Sequence, residues 1–242
     1  MVLLKFTNLN LSLFLFLFVA VLNTGCSTTP EVHSKTSENI TTSKFKKPML
    51  SGQSTYLEQE ELLMTDVPLS VIETYNQAIL LMQQKKWQKA LYLLDEVIEK
   101  HDNLSGSYIN KALIFNKLSL EQTEVKVQLK HFNKSKSLIN KAIKVNPFNP
   151  YAQYVRGQIF ASNGQFQHAE ESYAAALSIW PNYPKAQLSM AVLLELFRGK
   201  LIEAYQHYSA YLLIESDDKK VKQWHAALAI KIKRSGLSIP VQ

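Results

Sequence analysis

The sequence of 242 residues is poor in glycine and contains a single cysteine. Average usage would give roughly 17 glycines in a chain of this length, whereas only 7 are present. This scarcity disfavours folds built on glycine turns, phosphate-binding loops or many short hairpins. One cysteine excludes an intramolecular disulfide framework and a cysteine-rich zinc site.

Sequence signatures of catalysis are also missing. The chain has no His-Glu-x-x-His, no Gly-x-Ser-x-Gly and no Walker-type loop. Its six histidines are scattered, and no two are spaced to share one face of a helix. We therefore predict a protein that is not an enzyme and that has no cofactor, no metal site and no small-molecule substrate. The net charge of +7 permits an acidic partner, but basic residues spread along the chain do not indicate a nucleic-acid site.

Residues 1–25 have the layout of a secretory signal peptide. Lys5 precedes an apolar run over 9–22, which is too short to span a bilayer, and small residues follow it. This segment ends at Gly25-Cys26 and so includes the only cysteine. Residues 22–26 resemble the lipobox of bacterial lipoproteins, although Asn23 stands where an aliphatic residue is usual.

The lipobox resemblance implies that Cys26 carries acyl chains, among them palmitate, and becomes the mature N-terminus. Because Ser27, not aspartate, follows the cysteine, the resemblance further implies an outer-membrane lipoprotein that faces the periplasm. The alternative is an ordinary signal-peptidase site beside an incidental cysteine, which would give a soluble periplasmic protein.

Residues 26–66 predict an acylated N-terminus followed by a flexible linker. Serine, threonine, lysine and glutamate dominate, and a segment of this composition buries too little apolar surface to offset its ordering entropy. The exception is an apolar cluster within 56–64. We expect it either to form a short helix that docks onto the following domain or to occupy its groove. The cluster consists of Tyr56, Leu57, Leu62, Leu63 and Met64.

From residue 67 onward, small residues recur at a helical-repeat spacing. The interval from Ala78 to Ala112 equals that from Gly157 to Ala191, and it matches the period of about 34 residues found in one class of helical repeats. The fullest pattern lies in 150–183, with Gly157, Ala169, Tyr173, Ala176 and Pro181. Small side chains allow two helices to approach closely, larger ones fill the next groove, and proline ends the second helix.

This pattern resembles the tetratricopeptide repeat (TPR), a helix–turn–helix unit. The resemblance implies an all-α solenoid of about four units over 67–218, closed by a capping helix at 219–234. The units are expected at about 71–104, 105–149, 150–183 and 184–218. The capping helix has an apolar stripe of Val221, Trp224, Leu228 and Ile232. We interpret its basic remainder as a solvated outer face; contact with acidic lipid or an anionic partner is the alternative.

The second unit contains an insertion. The interval from Ala112 to Ser135 is longer than the corresponding one from Gly157 to Ala169, and the excess equals about three helical turns. We therefore predict a lengthened second helix across 118–130, with a disordered excursion as the alternative. Ser119 and Gln122 have the spacing of a capping box at its start. Its polar side is predicted to expose Lys126, Lys130, His131, Lys134 and Lys136.

In TPR proteins the first helix of each unit lines a concave face, and the resemblance places ten residues there. They are Tyr75, Ile79, Ile109, Leu113, Asn116, Tyr151, Tyr154, Gln158, Leu188 and Val192. An apolar and aromatic lining suits a partner helix or an extended segment with apolar anchors. We expect Tyr151 and Tyr154 to contribute most; the alternative is that several of these residues only pack the helices.

The combined features predict a protein-binding adaptor or scaffold of the bacterial envelope. Exported TPR lipoproteins include proteins that assist pilus secretins, accompany TonB-type complexes or recruit cell-wall hydrolases, so the expected partner is an envelope protein. Two alternatives stay open from the sequence: a structural homo-oligomer, and an enzyme whose active site has no sequence signature.

Overall fold

The computed structural model describes residues 67–239, which form helices joined by short turns without any strand. The predicted signal peptide, Cys26, the linker and the 56–64 cluster lie outside these residues. The helices are α1 (Leu69–Gln83), α2 (Trp87–Lys100), α3 (Ser105–Leu120), α4 (Val125–Val145), α5 (Pro150–Ser162), α6 (Phe166–Ile179), α7 (Pro184–Leu193), α8 (Leu201–Ile214) and α9 (Lys219–Arg234). Within this part of the chain, no helix is long and apolar enough to cross a membrane.

Consecutive helices pack as antiparallel pairs, α1 with α2, α3 with α4, α5 with α6 and α7 with α8. The small residues of the repeat pattern lie where the paired helices meet, and Ala78, Ala90 and Ala112 are completely buried. In the second pair Ser135 replaces the usual alanine, and its Oγ donates a hydrogen bond to the carbonyl of Ala112 at 2.7 Å. The all-α repeat architecture is therefore confirmed, and its cause is close helix approach at small residues.

The insertion in the second unit lengthens both of its helices. α4 has 21 residues where α6 has 14, and α3 has 16 where α5 has 13. The expectation of a capping box at Ser119 was wrong, because Ser119 is buried in the last turn of α3. Its hydroxyl donates to the carbonyl of Gln128 at 2.8 Å and so fastens the end of α3 to the side of α4.

The fourth unit carries a smaller irregularity that the sequence analysis missed. The interval from Ala191 to Ala204 is one residue longer than the corresponding interval from Gly157 to Ala169. The extra residue is absorbed by a π-helical turn, Leu194–Arg198, that continues α7. Gly199 ends this turn with a φ of 68°, a left-handed conformation that glycine adopts without strain.

The core runs through the solenoid and is closed by α9. Val221, Leu228 and Ile232 of α9 are buried against the preceding pair, while Trp224 stays 36% exposed. A second, smaller cluster of Ala78, Ala90, Leu94 and Ile114 joins the first unit to α3. Among the described residues, the members of both clusters lie between residues 75 and 239.

Candidate interaction surface

The first helices of the four units form one layer. α1 contacts α3, α3 contacts α5, and α5 contacts α7, so these helices stand side by side in chain order. All ten residues expected on the concave face lie on these four helices. Adjacent first helices of this kind produce the extended inner surface that solenoids use for binding.

Three of the ten expected surface residues are buried instead. Ile109 is 2% exposed, Tyr154 is 3% exposed and Val192 is 9% exposed, and all three belong to the main core cluster. Each lies on the correct helix, but neighbouring helices cover its side chain. The expectation that they line an open groove was therefore wrong for the described protein, which presents no surface at these positions.

Tyr154 occupies the centre of an aromatic cluster. Its ring centroid lies 5.9 Å from that of Tyr173 on α6 and 5.4 Å from that of Tyr183 in the turn before α7. The hydroxyl accepts a hydrogen bond from Nε2 of Gln158 at 2.9 Å. Burial raises the pKa of Tyr154 to about 12, against the lowering effect of a hydrogen bond with Ser189. This side chain is a structural anchor that joins three elements.

Five apolar residues of the expected set keep accessible surface, and we call them the inner strip: Tyr75, Ile79, Leu113, Tyr151 and Leu188. Tyr151 is the most open of them at 37% exposure, and its ring lies 6.3 Å from that of Tyr154. The other four are half-buried. Tyr75 also links two first helices, because its hydroxyl accepts a hydrogen bond from Nδ2 of Asn110 at 2.7 Å.

Asn116 forms a polar junction between α3 and α5. Its Nδ2 donates to Oγ of Ser162 at 3.1 Å, and its Oδ1 accepts from Nδ2 of Asn163 at 2.9 Å. With Gln158 bonded to Tyr154, both polar residues of the expected set already have protein partners. They set the spacing and orientation of the first helices, and the apolar strip supplies the contact surface.

Two ion-pair sites on the repeats had no clear signal in the sequence. Glu170 of α6 binds Arg198 and Lys200, which flank Gly199 at the end of the π turn. Burial alone would raise the pKa of Glu170, but hydrogen bonds from Lys200 and Arg198 hold it below its ordinary value. Lys111, buried on α3, pairs with Asp95 of α2. Within residues 67–239, no group of three or more acidic, histidine or cysteine side chains could hold a metal ion.

The stability of the domain is expected to fall as the pH drops below about 6.5, and His207 contributes to this loss. Burial lowers its pKa from the ordinary value of 6.5, and its Nδ1 lies 2.6 Å from Oε1 of the buried Gln187. The unfolded chain therefore binds a proton that the folded chain resists, so acid favours unfolding. Urea unfolding at pH 7.5 and 5.5 would measure this effect.

The variant His207→Gln should unfold with a weaker pH dependence than the wild type. Some dependence should remain, because burial also lowers the pKa of His225, with the same sign. Equal pH dependence in the variant and the wild type would contradict the role assigned to His207.

Comparison with known proteins supports the repeat architecture. The family model of the tetratricopeptide repeat matches residues 124–184. A thermophilic TPR protein of Thermus thermophilus is similar with a TM-score of 0.59 at 20% identity, over 74% of this chain and 96% of that one. The MamA protein gives 0.53 at 12% identity, over 69% and 83% of the two chains.

A TPR protein from Parabacteroides merdae gives a TM-score of 0.51 at 18% identity, over 76% of this chain and 67% of that one. No curated protein matches the sequence significantly. At these identities the solved structures support the fold and not a shared partner.

Proposed function

We propose that this tetratricopeptide-repeat protein is a non-enzymatic adaptor that binds an apolar segment of a partner protein along the inner strip. The observation that carries the proposal is the exposed ring of Tyr151 on a layer of first helices that also presents the half-buried apolar side chains of Tyr75, Ile79, Leu113 and Leu188. Aromatic rings supply large contact area at low entropic cost and are frequent hot spots. A partner helix or extended segment with two or three apolar anchors matches this surface.

The chemistry of the strip argues against recognition of a charged chain terminus. Tyr75 and Leu188 stand at repeat positions where carboxylate-binding TPR domains have cationic groups, and the corresponding Ile109 and Tyr154 are buried. No lysine or arginine belongs to the strip itself. Binding should therefore depend on buried apolar area and only weakly on salt.

Selection of short random peptides displayed on phage against the whole chain would test this function. We expect the selected peptides to be rich in apolar residues. Tyr151→Ala should weaken them at least tenfold, the effect of removing a hot-spot side chain. The matched control is Tyr92→Ala, because Tyr92 is 71% exposed on α2 and lies outside the inner strip. Peptides that bind equally well to both variants would overturn the assignment of the strip.

We further propose that the adaptor acts at the bacterial envelope, anchored through acylated Cys26 and tethered to the membrane by the linker 27–66. The support is the signal-peptide layout and the resemblance of residues 22–26 to a lipobox. Two acyl chains or more give stable anchoring, since each buried methylene contributes about 0.8 kcal/mol. Residue 27 favours the periplasmic face of the outer membrane, where secretin, pilus, TonB-type or cell-wall hydrolase complexes offer partners.

Growth with radiolabelled palmitate would test the anchor. The wild-type chain should incorporate label and fractionate with the outer membrane, while Cys26→Ser should lose both properties. Ser27→Ala is the matched control, because it changes the neighbouring residue and keeps the thiol. Label in the Cys26→Ser protein, or its unchanged membrane fractionation, would contradict lipid attachment at this residue.

A further inference from the structure

The long helix α4 carries an unusually one-sided charge. Its 21 residues include six lysines and no aspartate or glutamate. At about 100° per residue, five of these lysines fall within an arc of about 80°. We call this set the lysine face: Lys126, Lys130, Lys134, Lys141 and Lys144. From its first member to its last the face is about 27 Å long.

The lysine face is exposed and has no acidic partner among residues 67–239. All five side chains are exposed, and the ion pairs of this region use other cations. In the turn before α4, Glu121 is bound by Lys117, which leaves Glu124 as the nearest acidic residue in sequence. The sixth lysine, Lys136, lies off the face, 5.9 Å from the centroid of the Phe132 ring.

Helix α9 shows that basic composition alone does not create such a face. It also has five lysines and one arginine, but they are spread over about 180° of the helix, against about 80° for the lysine face. Lys231 lies 3.6 Å from Glu195, and Lys220 lies over the ring of Trp224. The two helices therefore carry similar charge, and α4 concentrates five of its six basic residues within the narrower arc.

Two exposed apolar side chains lie beside the lysine face on α4, Leu129 about 60° and Val125 about 100° round the helix from Lys126. Val125 is 73% exposed and Leu129 is 53% exposed, one turn apart in the part of α4 added by the insertion. A helix with lysines on one face and exposed apolar side chains beside it fits the boundary between headgroups and acyl chains. A planar bilayer can supply anions along the whole row, whereas an acidic protein would need both a matching row of carboxylates and an apolar pocket.

We propose that the lysine face of α4, with Val125 and Leu129, binds the solenoid to an anionic phospholipid surface. Each lysine near an anionic bilayer strengthens binding roughly fivefold, so the five lysines together favour docking. This contact is independent of Cys26 and of the inner strip. It would orient the solenoid on a membrane and assigns a use to part of the net charge of +7.

Co-sedimentation with vesicles would test the proposal on residues 27–242, which keep the whole chain after the predicted signal peptide and Cys26. Binding is expected to vesicles of phosphatidylglycerol and phosphatidylcholine at low salt, and not to phosphatidylcholine alone. The variant Lys126→Gln/Lys130→Gln/Lys134→Gln should bind about 100-fold more weakly. The control Lys219→Gln/Lys222→Gln/Lys233→Gln has the same net charge as that variant. Its affinity for the vesicles should fall by less than about fivefold. Circular dichroism would verify that both variants are folded.

Several outcomes would overturn the proposal. They are equal losses in the two triple variants, equal binding to both kinds of vesicle, and no binding to the anionic vesicles. Val125→Ser/Leu129→Ser separates a bilayer from an acidic protein, using polyglutamate as the second probe. If the bilayer is the target, this variant binds vesicles several-fold more weakly than the wild type. Polyglutamate binding that is tighter than vesicle binding and unchanged in this variant would show that an acidic polypeptide is the target.

Discussion

Replacing Tyr154 by alanine should lower the free energy of unfolding by about 4 kcal/mol. The ring is 3% exposed and is enclosed by the rings of Tyr151, Tyr173 and Tyr183. Removing it leaves a cavity at the junction of α5, α6 and the turn before α7, and the rigid aromatic neighbours cannot collapse fully into that space. Urea or thermal unfolding of the variant and the wild type would measure the difference.

Two further substitutions separate the contributions at this position. Tyr154→Phe keeps the ring and loses the hydrogen bonds of the hydroxyl with Gln158 and Ser189, so it should cost about 1 to 2 kcal/mol. Tyr151→Ala removes a partly exposed ring and should cost far less stability than Tyr154→Ala, while it weakens peptide binding. If Tyr154→Ala were as stable as Tyr151→Ala, the ring would not be a core element, and its place on a binding surface would have to be reconsidered.

The contrast between these two tyrosines shows that the sequence predicts the helix on which a residue lies but not whether its side chain is buried. The repeat pattern predicts the helix pairs well, because close approach at Ala78, Ala112 and Gly157 depends on residue size and spacing alone. It also assigns Tyr151 and Tyr154 to the correct helix. The repeat pattern does not predict how deeply each tyrosine is buried, because the rings that bury Tyr154 come from other elements. Burial of a repeat position depends on which side chains the neighbouring units supply.

The membership of the lysine face could likewise be predicted only in part from the sequence. The helical spacing predicts exposed cations in the inserted region but does not separate His131 and Lys136 from the lysine face. On the continuous helix α4, His131 and Lys136 lie about 60° and 80° from the nearest lysine of the face. Both are half-buried, and His131 stacks on Phe115. Lys141 and Lys144 join the face only because the helix continues unbroken past the insertion. A row of this length can be recognised once both ends of its helix are known.

For the π turn, the sequence shows that one residue is inserted but not which backbone conformation accommodates it. The interval between Ala191 and Ala204, compared with that between Gly157 and Ala169, shows that one residue is added. Several backbone solutions can absorb one residue, including a longer turn. The π turn forms where Gly199 can adopt a positive φ and where Glu170 binds the cations on both sides of it. Those contacts come from another helix and are invisible in the local sequence.

Replacing Gly157 by alanine should destabilise the domain by about 3 kcal/mol, although alanine is the better helix former by about 1 kcal/mol. A Cβ atom at this position would lie 2.4 Å from Cε1 of Tyr173 and 2.5 Å from its Cδ1. Tyr173 is 3% exposed and packs against Tyr154, so its ring has no free space to move into. The α5–α6 pair would have to separate, which would weaken packing along both helices.

Gly106→Ala provides the matched control because it is also a helical glycine beside a tyrosine. Its Cβ would lie 2.8 Å from the hydroxyl oxygen of Tyr75, the far end of a half-buried side chain that can move at the expense of its hydrogen bond from Asn110. The steric cost there should be small and largely offset by the gain in helix propensity, which leaves a change of less than about 1 kcal/mol. A loss at Gly106 as large as that at Gly157 would show that alanine at these sites acts through something other than the buried ring.

A double-mutant cycle identifies the cause of the Gly157 effect. Tyr173→Ala alone should be strongly destabilising, because it empties the space between α5 and α6. In that background Gly157→Ala should cost nothing or restore some stability, since the new methyl group meets no ring and fills part of the cavity. The two changes would then show a coupling energy of several kcal/mol. Additive losses would mean that the Tyr173 ring does not set the requirement for glycine, and that close packing at this repeat position has another origin.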